Sequence, residues 1–223
     1  MGFDDWLYNV RDKNAFMMRQ PEAHNTVVSK DRKWTNNTID SCRITKYYFD
    51  DNVLSLKAEH NRIKGTRVER FLILIKHNIL FVIDRITTDT PQTFCQLFHV
   101  PNSIEKYCLK KNVFSTANEK VFLMVRNIDE ESKSLLKTPQ KVRGSEYIPS
   151  KRIEYYRKIY TSGYFFTVIL FSDKPFYLEH LAVEVSNNDR IKIGYVNKNN
   201  DFNYDFILND VISSGVIQYT RPK

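Results

Sequence analysis

The feature that most constrains the fold is a long succession of short apolar segments separated by turn-forming residues. Helical spacing of apolar residues is scarce, and many short strands at regular intervals are typical of sheets packed face to face. The sequence therefore predicts an all-β protein, an antiparallel β-sandwich of two large packed sheets. The predicted strands lie near 41–49, 53–60, 67–76, 78–87, 92–100, 121–127, 152–160, 164–172, 178–185, 190–197 and 211–219.

One pair of these segments is apolar on both of its faces. The stretch 67–87 is interrupted only by Lys76-His77-Asn78, where Asn tolerates the left-handed backbone of a tight turn. It therefore predicts a central hairpin covered on each side. Asp50-Asp51-Asn52 is a predicted turn, 197–203 is a predicted polar loop, and 129–150 is a predicted long functional loop.

The size and composition fit one folded domain over residues 1–223, since 42% of the residues are hydrophobic and only 6 are Gly. The 3 Cys have no metal-like spacing, so we expect neither a disulfide framework nor a zinc knuckle. We expect buried or partly buried thiols instead. No apolar run is long enough for a membrane span. The first residues, Met-Gly-Phe-Asp-Asp, lack the basic and then apolar pattern of a signal peptide, so none is expected.

The charge favours polyanionic partners, because 34 Lys and Arg against 26 Asp and Glu give +8. Basic residues are enriched in 137–157 and alternate there with Tyr147, Tyr155 and Tyr156. Cationic side chains next to flat aromatic rings suit sugar binding. The alternative interpretation is a solvent-exposed strand face that Lys and Arg keep soluble. No nucleic-acid-binding motif is visible. Acidic pairs such as Asp50-Asp51 are typical of turns and do not support an independent hydrolase.

Residues 19–28 read Arg-Gln-Pro-Glu-Ala-His-Asn-Thr-Val-Val. This stretch resembles the arginine-to-HNTV signature in the C-terminal β-domain of heparinase II/III-like polysaccharide lyases. Later segments are similar to that family's strands in the same order: 67–75, 78–86, 96–101, the Gly144-Ser-Glu-Tyr147 stretch and 164–171. The resemblance covers roughly residues 8 to 185.

The resemblance implies a β-sandwich of the supersandwich type without the family's N-terminal α/α-toroid. It also implies β-elimination on acidic polysaccharide that contains uronic acid. Because most catalytic groups of the family lie on the toroid, the chain is expected to be inactive alone and to need a separate toroid polypeptide. The alternative is a non-catalytic module that binds acidic glycans or has a structural role. The family suggests the bacterial periplasm or cell envelope.

Four residues are candidates by their match to the family. His24 matches one of three metal ligands, so a structural divalent metal such as zinc is expected only if the other ligands are supplied from elsewhere; a hydrogen-bonded strand histidine is the alternative. Tyr8 is the candidate catalytic base, and a packing aromatic is its alternative. Arg19 and Asn25 are candidate substrate-binding residues. His99 also matches a family position, which is attributed to packing.

Overall fold

Most of the residues that the structure describes lie in antiparallel strands. Our computed structural model describes residues 20–35, 42–76, 79–100, 104–108, 113–116, 122–127, 132–141, 147–172, 180–186, 189–196 and 202–220. Within these ranges the strands are β1 (Val27–Ser29), β2 (Cys42–Phe49), β3 (Val53–His60), β4 (Thr66–Ile75), β5 (Ile79–Thr88), β6 (Gln92–Val100), β7 (Ile104–Cys108), β8 (Val113–Thr116), β9 (Phe122–Asn127), β10 (Ser132–Lys141), β11 (Tyr147–Ile159), β12 (Ser162–Ser172), β13 (His180–Val185), β14 (Arg190–Val196), β15 (Phe202–Ile207) and β16 (Gln218–Thr220). Helix α1 spans Leu208–Ser214.

The strands form three layers. The central sheet has eight strands in the order β2-β3-β4-β5-β12-β9-β8-β7, the small sheet has the order β1-β6-β11-β10, and the third sheet has the order β13-β14-β15-β16. The small sheet packs on one face of the central sheet, and the third sheet with α1 packs on the other. The predicted antiparallel sandwich is confirmed, and the extra layer exists because the central strands are apolar on both faces.

The β4-β5 hairpin lies at the centre of this arrangement. Phe71 and Phe81 belong to the core beneath the third sheet, whereas Val68 and Ile86 belong to the core beneath the small sheet. β3 and β12 flank the hairpin, so the predicted central hairpin is confirmed. His77 and Asn78 themselves lie outside the described residues.

The turn at Asp50 is confirmed and has a simple cause. The Asp50 carboxylate accepts hydrogen bonds from the backbone N–H groups of Asn52 at 2.7 Å and Val53 at 2.8 Å. An Asp side chain that bonds the backbone two and three residues further on closes a turn. These hydrogen bonds also lower the pKa of Asp50.

Two predictions of local structure are wrong. The stretch 129–150 contains β10 and the start of β11, paired with each other. Its polar composition and Pro139 suit an edge strand, where a missing N–H is tolerated. The first part of the predicted strand 211–219 lies in α1, which buries Val211 and Ile212 and ends at Gly215 in the left-handed conformation (φ 67°), whereas its last residues lie in β16 (Gln218–Thr220). Of the predicted loop 197–203, residues 197–201 lie outside the described residues and Phe202 begins β15.

The cysteines only partly follow the expectation of burial. Cys95 is a buried free thiol, and burial raises its pKa to about 12. Cys42 is also free but exposed, because it lies on the edge strand β2. The side chain of Cys108 is outside the described residues. Within the described ranges, no helix has the length and apolarity needed to cross a bilayer.

Candidate functional site

The candidate site is the face of the small sheet that points away from the central sheet, here called the outer face. Side chains alternate between the two faces of a strand. Along β11, Ile153 and Tyr155 belong to the core, which places Arg152, Glu154 and Tyr156 on the opposite side. By the same alternation the outer face comprises Val28, Lys30, Cys95, Leu97, His99, Arg152, Glu154, Tyr156 and Lys158.

The turn that carries His24 and Asn25 is fixed to the rim of this face. A single 3-10 turn, Pro21–Ala23, precedes it, and both His24 and Asn25 are exposed. The Asn25 side-chain oxygen accepts the backbone N–H of His99 at 2.7 Å and lies 3.2 Å from His99 Nδ1. The structure therefore brings Asn25 and His99 together, whereas Tyr8 and Arg19 lie outside the described residues.

A buried ion pair supports the same turn from below. Arg70 Nε donates to one Asp84 carboxylate oxygen at 2.6 Å, and Nη2 donates to the other at 2.7 Å. Arg70 Nη1 also donates to the backbone oxygen of Asn25. Gln96 donates to Asp84 at 2.7 Å and accepts a hydrogen bond from Thr167 at 2.6 Å. The turn is thus held by both the central sheet and β6.

Glu154 is the least expected residue of the outer face, because its carboxylate is buried on the side opposite to the core. Arg152 and Tyr156 both donate to it, and Lys30 Nζ lies 3.7 Å away. Lys30 Nζ also lies 5.0 Å from the centre of the Tyr156 ring, within the range of a cation–π interaction. Arg152 Nη1 donates to the backbone oxygen of Glu22 at 2.6 Å, so this cluster is joined to the His24 turn.

The centre of the outer face, at Val28, Cys95 and Leu97, is buried, and the exposed part at Lys30 and Lys158 is cationic and aromatic. Lys30 and Lys158 each lie near a tyrosine ring, Tyr156 and Tyr160 respectively. Tyr155, by contrast, is in the core and donates its hydroxyl to Val125 O at 3.0 Å. Of the tyrosines that alternate with basic residues in 137–157, Tyr155 is therefore unavailable to a sugar, because the alternation of the strand turns its ring inward.

His99 is held as a neutral imidazole. Burial lowers its pKa to about 4, and the positive charge of Arg152 acts in the same direction. A neutral imidazole can accept one hydrogen bond and donate another. At neutral pH the outer face therefore combines fixed cations with an uncharged proton acceptor.

We expect this shifted pKa to make stability depend on pH. Because the folded pKa of His99 is about 4 against 6.5 in the unfolded chain, the unfolded state binds more protons between these values. The contribution of neutral His99 to the free energy of unfolding is complete above pH 6.5 and is lost as the pH falls towards 4. Urea unfolding of the wild type should lose about 1 kcal/mol more between pH 7 and pH 5 than His99→Gln does, after discounting for partial exposure. An identical loss in both proteins would contradict this assignment.

The described residues do not by themselves provide a metal site. Among them, no group of three or more His, Cys, Asp and Glu side chains could hold a metal ion. His24 is exposed at the rim and available as one ligand, whereas a structural zinc site uses four. A metal at His24 would therefore require ligands from outside the described residues.

Two parts of this site could have been recognised from the sequence. A hairpin that pairs Ile75 with Ile79 also pairs Arg70 with Asp84, so the buried ion pair follows from the turn position. His99 matched a family position in the sequence, and in the structure it is the residue that contacts the Asn25 turn. Glu154 carried no such signal, because its burial depends on which side of β11 faces outward.

The fold and the outer face define a class: an all-β sandwich domain with a cationic, aromatic and imidazole-bearing surface on its small sheet. Solved structures with the same fold are similar to this chain over most of its length. A mutant of the heparan sulfate lyase HepC from Pedobacter heparinus gives a TM-score of 0.74 at 13% identity, over 93% of this chain and 34% of that one. Unmutated HepC gives 0.71 at 13% identity over 88% and 33%, and a heparinase III structure gives 0.70 at 11% identity over 90% and 32%.

The chain therefore spans about a third of the length of these structures, a length consistent with one domain of each. No protein-family model and no curated protein sequence matches the chain. At this level of identity the likeness shows the fold. It confirms, at the level of the fold, the predicted resemblance to the C-terminal β-domain of heparinase structures.

Proposed function

We propose that this chain, over residues 1–223, is the β-sandwich domain of a heparinase-like lyase that cleaves acidic polysaccharide containing uronic acid. The observation that carries the proposal is the agreement of fold with heparan sulfate lyase structures over about nine-tenths of the chain, at TM-scores of 0.70 to 0.74. The turn that bears His24 and Asn25 on the rim of a cationic face supports it. The single-domain organisation is part of the same proposal.

The reaction is a β-elimination. A base removes the proton at C5 of the uronic acid, the C4–oxygen bond breaks, and an acid protonates the departing oxygen to leave a C4–C5 double bond. The C5 proton is acidic enough only when the charge of the adjacent carboxylate is masked. We propose Tyr8 as the base on this chain and Arg19 as a partner of the carboxylate.

Asn25 has a more specific part in this proposal. Its side-chain oxygen is engaged with His99, and within the described residues its Nδ2 group has no acceptor. The residue is exposed, so this amide can donate to a sugar hydroxyl or carboxylate. His24 is the proposed contact with a divalent metal such as zinc, provided that a separate toroid polypeptide or another segment supplies further ligands.

We expect the chain alone to have no lyase activity. Purified protein is incubated with heparan-sulfate-like, alginate-like and hyaluronan-like polymers while the ultraviolet absorbance of unsaturated uronate is followed. We expect no product from the chain by itself and product when a matching toroid polypeptide is added. Product growth without the toroid, lost in Tyr8→Phe, would overturn the requirement for a partner.

The second candidate function is a glycan-binding module without catalysis. The pairing of Lys30 and Lys158 with tyrosine rings on one face favours it. Binding of the three polymers is measured by titration calorimetry for the wild type and for Lys30→Ala/Lys158→Ala, which should bind about tenfold more weakly. Binding without any product in the presence of the toroid favours this module, and absence of binding to all three polymers contradicts both functions.

A further inference from the structure

A second polar surface lies outside the candidate site, at one end of the central sheet. There an open groove of about 830 Å³ runs across the ends of β2 to β5. Its walls include Arg43, Glu59, Asn61, Arg67, Thr87 and Asp89. None of the described residues that line it is Phe, Tyr or Trp, so its recognition depends on charge and hydrogen bonds rather than on ring stacking.

Two arginines, on the strands to either side of β3, share the Glu59 carboxylate of β3 in this groove. Arg43 Nε lies 2.5 Å from one oxygen of Glu59, and Arg67 Nη2 lies 2.5 Å from the other. The hydrogen bond from Arg67 lowers the pKa of Glu59, which keeps this carboxylate charged. Both guanidinium groups are therefore held in place on opposite sides of one fixed anion.

The arginines nevertheless remain accessible. Their side chains are 72% and 57% exposed, while that of Glu59 is 10% exposed. Within the described part of the chain, the Nη1 and Nη2 groups of Arg43 and the Nη1 and Nε groups of Arg67 have no protein acceptor. A guanidinium has five N–H donors in a planar fork that matches the oxygens of a carboxylate or sulfate.

The charged side chains of the groove lining are balanced, since Arg43 and Arg67 face Glu59 and Asp89. Asp89 is also paired with Arg32 at 3.0 Å, and Arg67 also contacts Glu69 at 3.3 Å. An anion would therefore be attracted by the free N–H groups of the two exposed guanidinium groups rather than by a net positive charge of the groove.

The groove also offers partners for neutral sugar groups. Asn61 and Thr87 are exposed in its wall. Gly65 has a positive φ of 68°, and a Cβ there would lie 2.0 Å from the Asp89 carboxylate. The positive φ favours Gly at this turn, and the backbone N–H of Asp89 donates to Gly65 O at 2.9 Å, which holds Asp89 next to it.

We propose that this groove is a second binding position for an anionic saccharide, in which Arg43 and Arg67 hold a carboxylate or sulfate group and Asn61 and Thr87 contact neighbouring hydroxyls. This proposal rests on the proposed function, which supplies the class of ligand, an acidic polysaccharide. It extends that function, because a polymer bound in the groove and on the outer face would contact the domain at two places. The described lining has no Phe, Tyr or Trp ring for the base stacking that single-stranded nucleic acids use.

The test is titration calorimetry with a sulfated heparan-type oligosaccharide, an unsulfated alginate-type oligosaccharide and inorganic sulfate. Arg43→Ala/Arg67→Ala should weaken saccharide binding at least tenfold, and Arg43→Ala alone about threefold. Arg190→Ala is the matched control, since Arg190 is also an exposed, ion-paired arginine but lies on the third sheet; it should change affinity less than twofold. Circular dichroism verifies that each variant is folded, and Arg43→Ala tests the groove if the double variant is not.

The outcomes separate this inference from the proposed function. Wild-type affinity in Arg43→Ala and Arg43→Ala/Arg67→Ala, together with weakened binding in Lys30→Ala/Lys158→Ala, overturns the groove and leaves the proposed function in place. Inorganic sulfate binding as tightly as the oligosaccharides also overturns it, because the groove would then capture an anion without recognising a sugar. Loss of binding confined to the groove variants supports the groove and contradicts the outer face as the polymer-binding surface.

Discussion

Asp84→Ala is expected to lower the free energy of unfolding by about 3–5 kcal/mol, because it leaves the partly buried Arg70 guanidinium without its counter-charge. The Asp84 side chain has no exposed area, and that of Arg70 is 21% exposed. The substitution also removes the acceptor of Gln96. Urea unfolding monitored by circular dichroism measures the loss.

The chain provides its own control for this experiment. Arg190 and Asp205 form the same two-bond ion pair on neighbouring strands, at 2.8 and 2.6 Å, but their side chains are 49% and 26% exposed. Asp205→Ala should cost about 0–1 kcal/mol, as exposed ion pairs do. Equal losses in the two variants would show that burial of the Arg70–Asp84 pair has no energetic consequence.

A second variant separates the charge from the packing. Replacing both partners, as Arg70→Met/Asp84→Leu, should cost less than Asp84→Ala, since no buried charge is left unpaired. The hydrogen bond from Arg70 to the Asn25 backbone oxygen is lost in this variant. If that bond positions the His24 turn, the double variant should bind acidic polysaccharide more weakly even where its stability is recovered.

Phe81→Ala should destabilise the protein by a similar amount, about 3–5 kcal/mol, because a large cavity opens in the core. Phe81 is fully buried, and its ring centre lies 6.1 Å from that of Phe166 and 6.2 Å from that of Phe206. These rings join the central sheet to the third sheet. Thermal unfolding followed by circular dichroism gives the measurement.

Phe171→Ala is the matched control, since Phe171 lies on the same sheet with 42% of its surface exposed. Its loss should be below about 1 kcal/mol. A loss at Phe81 no greater than that at Phe171 would mean that the third sheet does not depend on this contact.

The sequence indicated the central strands well and the periphery less well. The hairpin 67–87 was predictable because a strand apolar on both faces needs cover on both sides, and the turn at Asp50 because its side chain bonds the backbone locally. Helix α1 was missed because Val211 and Ile212 are β-branched, and their burial beneath β3 and β15 overrides that local preference. β10 was missed because an edge strand in a polar stretch carries no apolar alternation.

The candidate site was predictable where it follows chain order and not where it depends on sheet packing. His24 and Asn25 were identified from the stretch 19–28, and the contact between Asn25 and His99 joins two segments that both carried a resemblance. Glu154 could be recognised as a buried residue of the site only once it was known which face of β11 points away from the core. The same holds for the Arg43–Glu59–Arg67 cluster, whose members meet because β2, β3 and β4 are neighbours.

The strand order of the central sheet also has a consequence for biosynthesis. β5 is paired on one side with β4, its neighbour in the chain, and on the other with β12, where Phe81 lies opposite Val168. The middle of the sheet therefore cannot close until the ribosome has released the chain beyond β12. Contacts between segments so distant in the chain form slowly, so the edge of β5 stays open during synthesis and is the place where premature pairing with another chain would begin.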